Sequence, residues 1–218
     1  MDDFEHVKYY SPLEEKINII SHAAGFILSI VALVLLVTFA SLYGNVWHIV
    51  SFSIFGASLM ILFAASTVYH SAKIPVLRSR LRVFDHASIY VLIAGTYTPI
   101  TLVALGGTIG WVLFGITWVL ALTGMSLKLF FTGKYKLLST LMYVFMGWLI
   151  IFAIKPLTNN LSSEGLTWLM IGGVIYTVGA ILYSIKKIKF NHAIFHVFVL
   201  LGSASHFITV FFYILPLR

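Results

Sequence analysis

Residues 17–72 read INIISHAAGFILSIVALVLLVTFASLYGNVWHIVSFSIFGASLMILFAASTVYHSA, 56 positions between Lys16 and Lys73 without one Asp, Glu, Lys or Arg. A helix crosses a bilayer in about 20 apolar residues, at a rise of about 1.5 Å per residue. The stretch therefore holds two crossings, and Ser41-Leu42-Tyr43-Gly44-Asn45 supplies the turn between them. Runs such as IVALVLLV at 30–37 do not alternate in polarity, which excludes membrane β-strands with their roughly 10 alternating residues.

The same arithmetic extends along the chain. Further charge-free stretches cover 86–127, 137–154, 165–185 and 190–217. The first of these is long enough for two crossings, with Gly106-Gly107-Thr108-Ile109-Gly110 as its turn, and the other three hold one each. The expected fold is an all-α integral membrane protein with seven transmembrane helices near 17–40, 47–71, 84–105, 110–131, 137–155, 165–185 and 191–214. A short N-terminal segment, 1–16, precedes a single seven-helix domain, 17–218. Pro99 is expected to kink the third span about midway.

Composition agrees. The 218 residues are 60% hydrophobic and 10% charged, against roughly 45–50% and 25% in soluble domains. A chain this size has too little interior to hide that much apolar surface. A soluble enzyme, a disordered chain and a nucleic-acid binder are therefore excluded as readings. There is no Cys, hence no disulfide framework and no thiolate metal site. The net charge of +7 is a topology signal: 12 of the 14 Lys and Arg fall on the side of the N-terminus, and only Lys155 and Arg218 on the other. The positive-inside rule puts the N-terminus in the cytoplasm and the C-terminus outside. The first 16 residues mix acids and bases and precede too long an apolar run for a cleavable signal. The expected location is the cell membrane, multi-pass.

Ionisable groups inside hydrocarbon are costly and mark candidate sites. His70 lies three residues before Lys73, Asp85 three after Arg82, and His192 three after Lys189, with His196 one turn deeper. These groups share one level, about 4–11 Å inside the basic loops. His192 and His196 are four apart and so share a helix face. Two such imidazoles suit one metal ion, and a third from another helix completes a three-histidine set with an open position. The alternative for an H-x-x-x-H pair is interfacial imidazoles bonding headgroups or loop carbonyls. Ser66 sits one turn below His70 and either bonds its own i−4 carbonyl or faces a metal-bound water. Glu15, Asn18 and His22 form a stripe at the start of the first span, as an interfacial cap or as support for the site. His86 and Ser88 neighbour Asp85 but point elsewhere, so Ser88 is at most an outer contact. His206, about 15 Å along the helix from His196, cannot reach the same ion.

These residues resemble those of the hemolysin III family, the bacterial branch of the progestin and adipoQ receptors, in a superfamily of membrane hydrolases that includes alkaline ceramidases. The match spans nearly the whole chain. It rests on Glu15-x-x-Asn18-x-x-x-His22, Ser66-x-x-x-His70, Phe84-Asp85-His86-Ala87-Ser88, Ala94-Gly95-Thr96-Tyr97-Thr98-Pro99 and His192-x-x-x-His196. The resemblance implies zinc held by His70, His192 and His196, with Asp85 and Ser66 contacting the metal-bound water. The short flanks outside the spans set an expectation against a hormone-receptor role. The expected function is a zinc-dependent hydrolase of lipid amides or esters, with a fatty-acyl amide or ceramide-like lipid as partner. The alternatives are a pore-forming haemolysin and a lipid-sensing regulator of membrane composition with structural zinc. Ion-coupled transport is disfavoured, because Asp85 is the only acid within the expected spans and sits near their edge. Oligomeric state is left open.

Overall fold

The structure, a computed structural model, describes residues 9–131 and 135–215, with the side chain of Lys136 excepted. His6, Lys8, Lys134 and Arg218 lie outside the described residues. Among the described residues, seven helices are long and apolar enough to span a membrane: α1 (Pro12–Tyr43), α2 (Val46–Ser71), α3 (Pro75–Leu105), α4 (Gly107–Phe131), α5 (Leu137–Asn160), α6 (Ser163–Ser184) and α7 (Asn191–Ile214). Among the described residues there is no strand.

Two helices, α1 and α3, begin well before the charge-free arithmetic places them. α1 starts at Pro12, because Ser11 caps it by accepting from the Glu14 N–H at 3.3 Å and Pro12 occupies the first turn. Glu14 and Glu15 add carboxylates where the helix dipole favours them. α3 starts at Pro75 rather than near 84, so Arg78, Arg80 and Arg82 are helical. A charge ends the hydrocarbon-crossing part of a helix without ending its hydrogen-bond ladder.

The turns follow local chemistry. Asn45 caps α2, its side chain accepting from Trp47 and His48 N–H groups while the His48 ring accepts from the Asn45 N–H at 3.2 Å. Gly106 and Gly107 take φ of 61° and 53°, a left-handed pair that glycine adopts at low cost. Pro99 lies in the last third of α3, beyond the expected midpoint. There the helix widens into a π-helical stretch, Ile100–Leu105, ending with the Gly106 N–H on the Thr101 carbonyl at 3.0 Å. Proline has no N–H for the ladder, and one wide turn absorbs the mismatch. α5 also departs from a plain helix at its 3₁₀ stretch Leu149–Ala153. The Tyr97 hydroxyl fills that break, donating to the Gly147 carbonyl at 2.9 Å and accepting from the Ile150 N–H at 2.8 Å.

Neighbours in sequence pack as neighbours in space: α1 on α2, α2 on α3, α3 on α4, α5 on α6 and α6 on α7, with α7 returning against α1. Leu36, Phe52, Phe55, Leu157 and Val210 are fully buried, whereas Ile27, Leu28, Phe130 and Phe152 face outward, Phe152 at 82% exposure. An apolar shell around an apolar core is the arrangement of a protein dissolved in lipid. There, association depends on close packing and interhelical polar contacts. A Cβ on Gly95 would collide with the Ser58 side chain, so the α3 backbone lies directly against Ser58 of α2 at that level. Between α6 and α7, the Ser205 hydroxyl donates to the Trp168 carbonyl at 2.6 Å, and the Tyr176 and Ser203 hydroxyls lie 2.9 Å apart.

Candidate metal centre

The end of the bundle that carries the basic loops also carries the polar cluster. His70 comes from the last turn of α2, and His192 and His196 from the first two turns of α7. α7 is entered through Phe190 at φ 57°, and the Asn191 side chain donates to the Tyr183 carbonyl at 2.8 Å. The start of α7 is thereby tied to the end of α6, and the i, i+4 pair is turned inward.

The three imidazoles meet through their Nε2 atoms. His192 Nε2 lies 3.1 Å from His70 Nε2 and 3.1 Å from His196 Nε2. The three ligand atoms all lie within 4.8 Å of one another, and all three residues are buried. A tetrahedral ion with metal–nitrogen bonds of about 2.0–2.1 Å holds its nitrogens about 3.3 Å apart. The observed spacing is close to that edge.

The donor chemistry also fits a cation. Glu15 Oε2 lies 2.7 Å from His70 Nδ1, and a carboxylate only accepts, so the proton belongs on Nδ1 and the Nε2 lone pair points at the cluster. Neutral imidazole carries one N–H, so His192 Nε2 can donate toward only one of its two neighbours. A bound cation accepts all three lone pairs at once. The three histidines therefore form a site that can hold a metal ion.

A further cation braces this arrangement. Arg78, 1% exposed, projects from the first turn of α3 and pairs with Glu15 Oε1. Its Nη1 donates to the carbonyls of Tyr69, His70 and Ala72 at 3.2–3.3 Å. The guanidinium lies between the Tyr9 and Tyr69 rings, 4.6 and 4.7 Å from their centroids. It thus joins α1, the C-terminal carbonyls of α2 and α3 around His70, as suits a cation at a helix C-terminus. Counted along the chain, Arg78 was one more loop charge. Pro75 at a helix start was the available signal that it falls in a first turn facing α2.

Among the outer residues, the Asn18 amide lies 3.4 Å from His70 Nδ1. His22 stacks face to face on His196, centroids 3.6 Å apart and planes 13° from parallel, so it shapes the site with a ring face. Ser88 donates to the Asp85 main-chain carbonyl at 2.7 Å, so its hydroxyl is committed to the helix backbone. Tyr10 stacks on His192 at 4.6 Å and its N–H donates to Glu15 Oε1 at 3.1 Å, forming a roof just before α1. Burial raises the Tyr10 hydroxyl far above the usual phenol value, so it stays protonated.

A cavity of about 160 Å³ opens from this cluster, lined by His192, His196, Asp85, Ser66 and His86 at one end and by Trp148, Tyr176 and His206 further along. Its walls between are mainly Leu62, Ile89, Leu92, Ile93, Ile100 and Val199. His86 was expected to point away, yet it lines this cavity and its Nδ1 lies 3.6 Å from Asp85 Oδ2. Lys128 also lines it and donates to the Ser139 hydroxyl.

Ser66 distinguishes itself from the other helical hydroxyls. Ser58, Thr67, Thr98 and Thr117 bond their own i−3 or i−4 carbonyls. The Ser66 hydroxyl is buried and makes no such bond. It lies near the Asp85 carboxyl but outside hydrogen-bond geometry, so the back-bonding alternative is not realised at this cavity-lining residue.

Glu15→Gln tests the brace. Glutamine can still accept from His70 Nδ1–H, but it leaves the Arg78 guanidinium buried without its counter-ion and lowers imidazole basicity. Metal affinity, measured by competition with a chromophoric chelator, is expected to fall about 10–100-fold.

The Haemolysin-III related family profile matches residues 10–207. The chain is 52% identical over 200 residues to the Hemolysin-3 homolog of Bacillus subtilis (strain 168), covering 92% of this chain and 94% of that protein. It is 48% identical over 203 residues to Hemolysin-3 of Bacillus cereus, covering 93% of each. A human relative, Monocyte to macrophage differentiation factor, is 30% identical over 210 residues, 92% of this chain and 84% of that one.

Proposed function

The chain belongs to the Haemolysin-III related family, and from that membership and its buried three-imidazole cluster we propose that it is a zinc-dependent membrane hydrolase of lipid amides or esters. The observation that carries this reading is the convergence of His70, His192 and His196 at the head of an apolar cavity that Asp85 and Ser66 also line. Following the positive-inside rule, the basic end faces the cytoplasm at the cell membrane, and the substrate is a fatty-acyl amide or ceramide-like lipid of that leaflet.

His70, His192 and His196 would hold the ion. Zinc bound there supplies Lewis acidity and a water of pKa about 7. Asp85 accepts the proton of the attacking water on a carboxylate oxygen and passes it to the departing amine or alcohol oxygen. Ser66 donates its O–H to the carbonyl oxygen as negative charge builds there. Glu15 and Arg78 keep His70 in the tautomer and orientation that present Nε2. The apolar wall receives the acyl chain, which excludes water from all but the reacting end.

The test is release of fatty acid from a panel of ceramides, N-acyl amides and esters by the purified protein in lipid nanodiscs. Release abolished by chelation and restored by Zn²⁺ is the expected result. Binding of these lipids without turnover favours the lipid-sensing alternative, whose support is the same apolar cavity. Metal-loaded protein that neither binds nor hydrolyses any of these lipids overturns the hydrolase reading.

A further inference from the structure

The far end of the cavity carries a polar group that the hydrolytic chemistry does not use. His206 is buried, at 6% exposure, and lines the cavity. Its Nδ1 has no hydrogen-bond partner among the described residues. The polar groups around it are satisfied by one another: Tyr176 with Ser203 at 2.9 Å, Trp148 Nε1 on the Thr177 hydroxyl at 2.9 Å, and the Tyr97 hydroxyl between α5 backbone groups. The remaining unpartnered buried side-chain atoms belong to residues at the basic end, such as His22, Ser66 and His196.

The ring is held in place. A Cβ on Gly172 would stand 2.7 Å from His206 Nε2, so the imidazole lies directly against the α6 backbone at a position only glycine leaves open. Tyr176 covers it at a centroid distance of 5.3 Å. A buried imidazole nitrogen without a partner costs about 1–3 kcal/mol, and a polar group brought against this cavity-lining ring by a ligand would recover it.

The geometry points to a second recognition point at His206, for an oxygen carried part-way along the acyl chain of the ligand, best matched by a hydroxyl. Neutral imidazole offers either N–H or a lone pair at Nδ1, and a hydroxyl pairs with both. His206 follows His196 by ten residues, about 15 Å along α7. An extended chain advances about 1.2 Å per bond, so with its carbonyl at the three histidines the matching oxygen lies about a dozen bonds along. This inference rests on the acyl-chain reading of the cavity and adds a selectivity to it.

The probes are stearate, 12-hydroxystearate and 6-hydroxystearate, competing with a fluorescent fatty acid on the Zn²⁺-loaded protein in detergent. Wild type is expected to bind the 12-hydroxy acid about five- to tenfold tighter than stearate, and the 6-hydroxy acid no tighter. In His206→Leu the 12-hydroxy preference is expected to vanish while stearate affinity holds. His206→Asn, whose amide reaches the place of Nδ1, is expected to restore part of it. Stearate binding without any 12-hydroxy preference in wild type, the same gain for the 6-hydroxy acid, or a preference that survives in His206→Leu overturns the inference and leaves the acyl-chain reading standing. Failure of all three acids to displace the probe ends both.

Discussion

His70→Ala, His192→Ala and His196→Ala proteins are expected to purify with less than about a tenth of the wild-type metal, and wild type with about one equivalent. Each substitution removes one of three nitrogens that no other described residue replaces: His22 is face-on to His196, and His206 is about 15 Å away along the helix. Two imidazoles alone leave the ion under-coordinated. The fold should survive, because the cluster sits at one end of the bundle while Phe52, Phe55, Leu36 and Val210 pack its middle. Far-UV circular dichroism and gel filtration check that, and element analysis by mass spectrometry reads the metal. Equal metal in all four proteins, or none in any, would mean that the three nitrogens converge for another reason.

Asp85→Asn is expected to keep its metal and lose about 100–10,000-fold in turnover. Asparagine matches the shape of aspartate and can still accept a hydrogen bond, but it cannot take up a proton and hand it on. Asp85 lines the cavity with Ser66 and has the His86 ring 3.6 Å away, whereas it is not one of the three clustered ligands. Metal content and turnover should therefore separate in this variant and fall together in the histidine variants. The readout is fatty-acid release per bound Zn²⁺, and a variant retaining more than about a tenth of wild-type turnover removes Asp85 from the proton-transfer role. Ser66→Ala should follow the same pattern with a smaller loss, since it removes one donor and no proton carrier.

Much of the site was legible along the chain. His192 and His196 share a face by spacing alone, and the distance of His70 and Asp85 from the basic loops put them at that level. Residue spacing does not say which way a helix is turned about its axis, so the 3.1 Å approach of His70 Nε2 to His192 Nε2, across 122 positions of sequence, came only with the packing. The same limit hid the Glu15–Arg78 pair, because a charge count assigns arginine to a loop. Ser66 shows the other side: the sequence leaves open whether its hydroxyl bonds the carbonyl one turn back, and the structure shows that it does not.

What the sequence determined by itself is the number, length and approximate placement of the spans. Unpaired charges and unsatisfied backbone groups are so costly in hydrocarbon that five charge-free stretches permit little but seven helices. What only the tertiary structure decided is which side chains face one another: the imidazole triad, its arginine–glutamate brace and the cavity reaching His206. Those pairings depend on helix rotation and on close contacts such as Gly95 with Ser58 and Gly172 with His206, where the absence of a single Cβ sets how near two helices come.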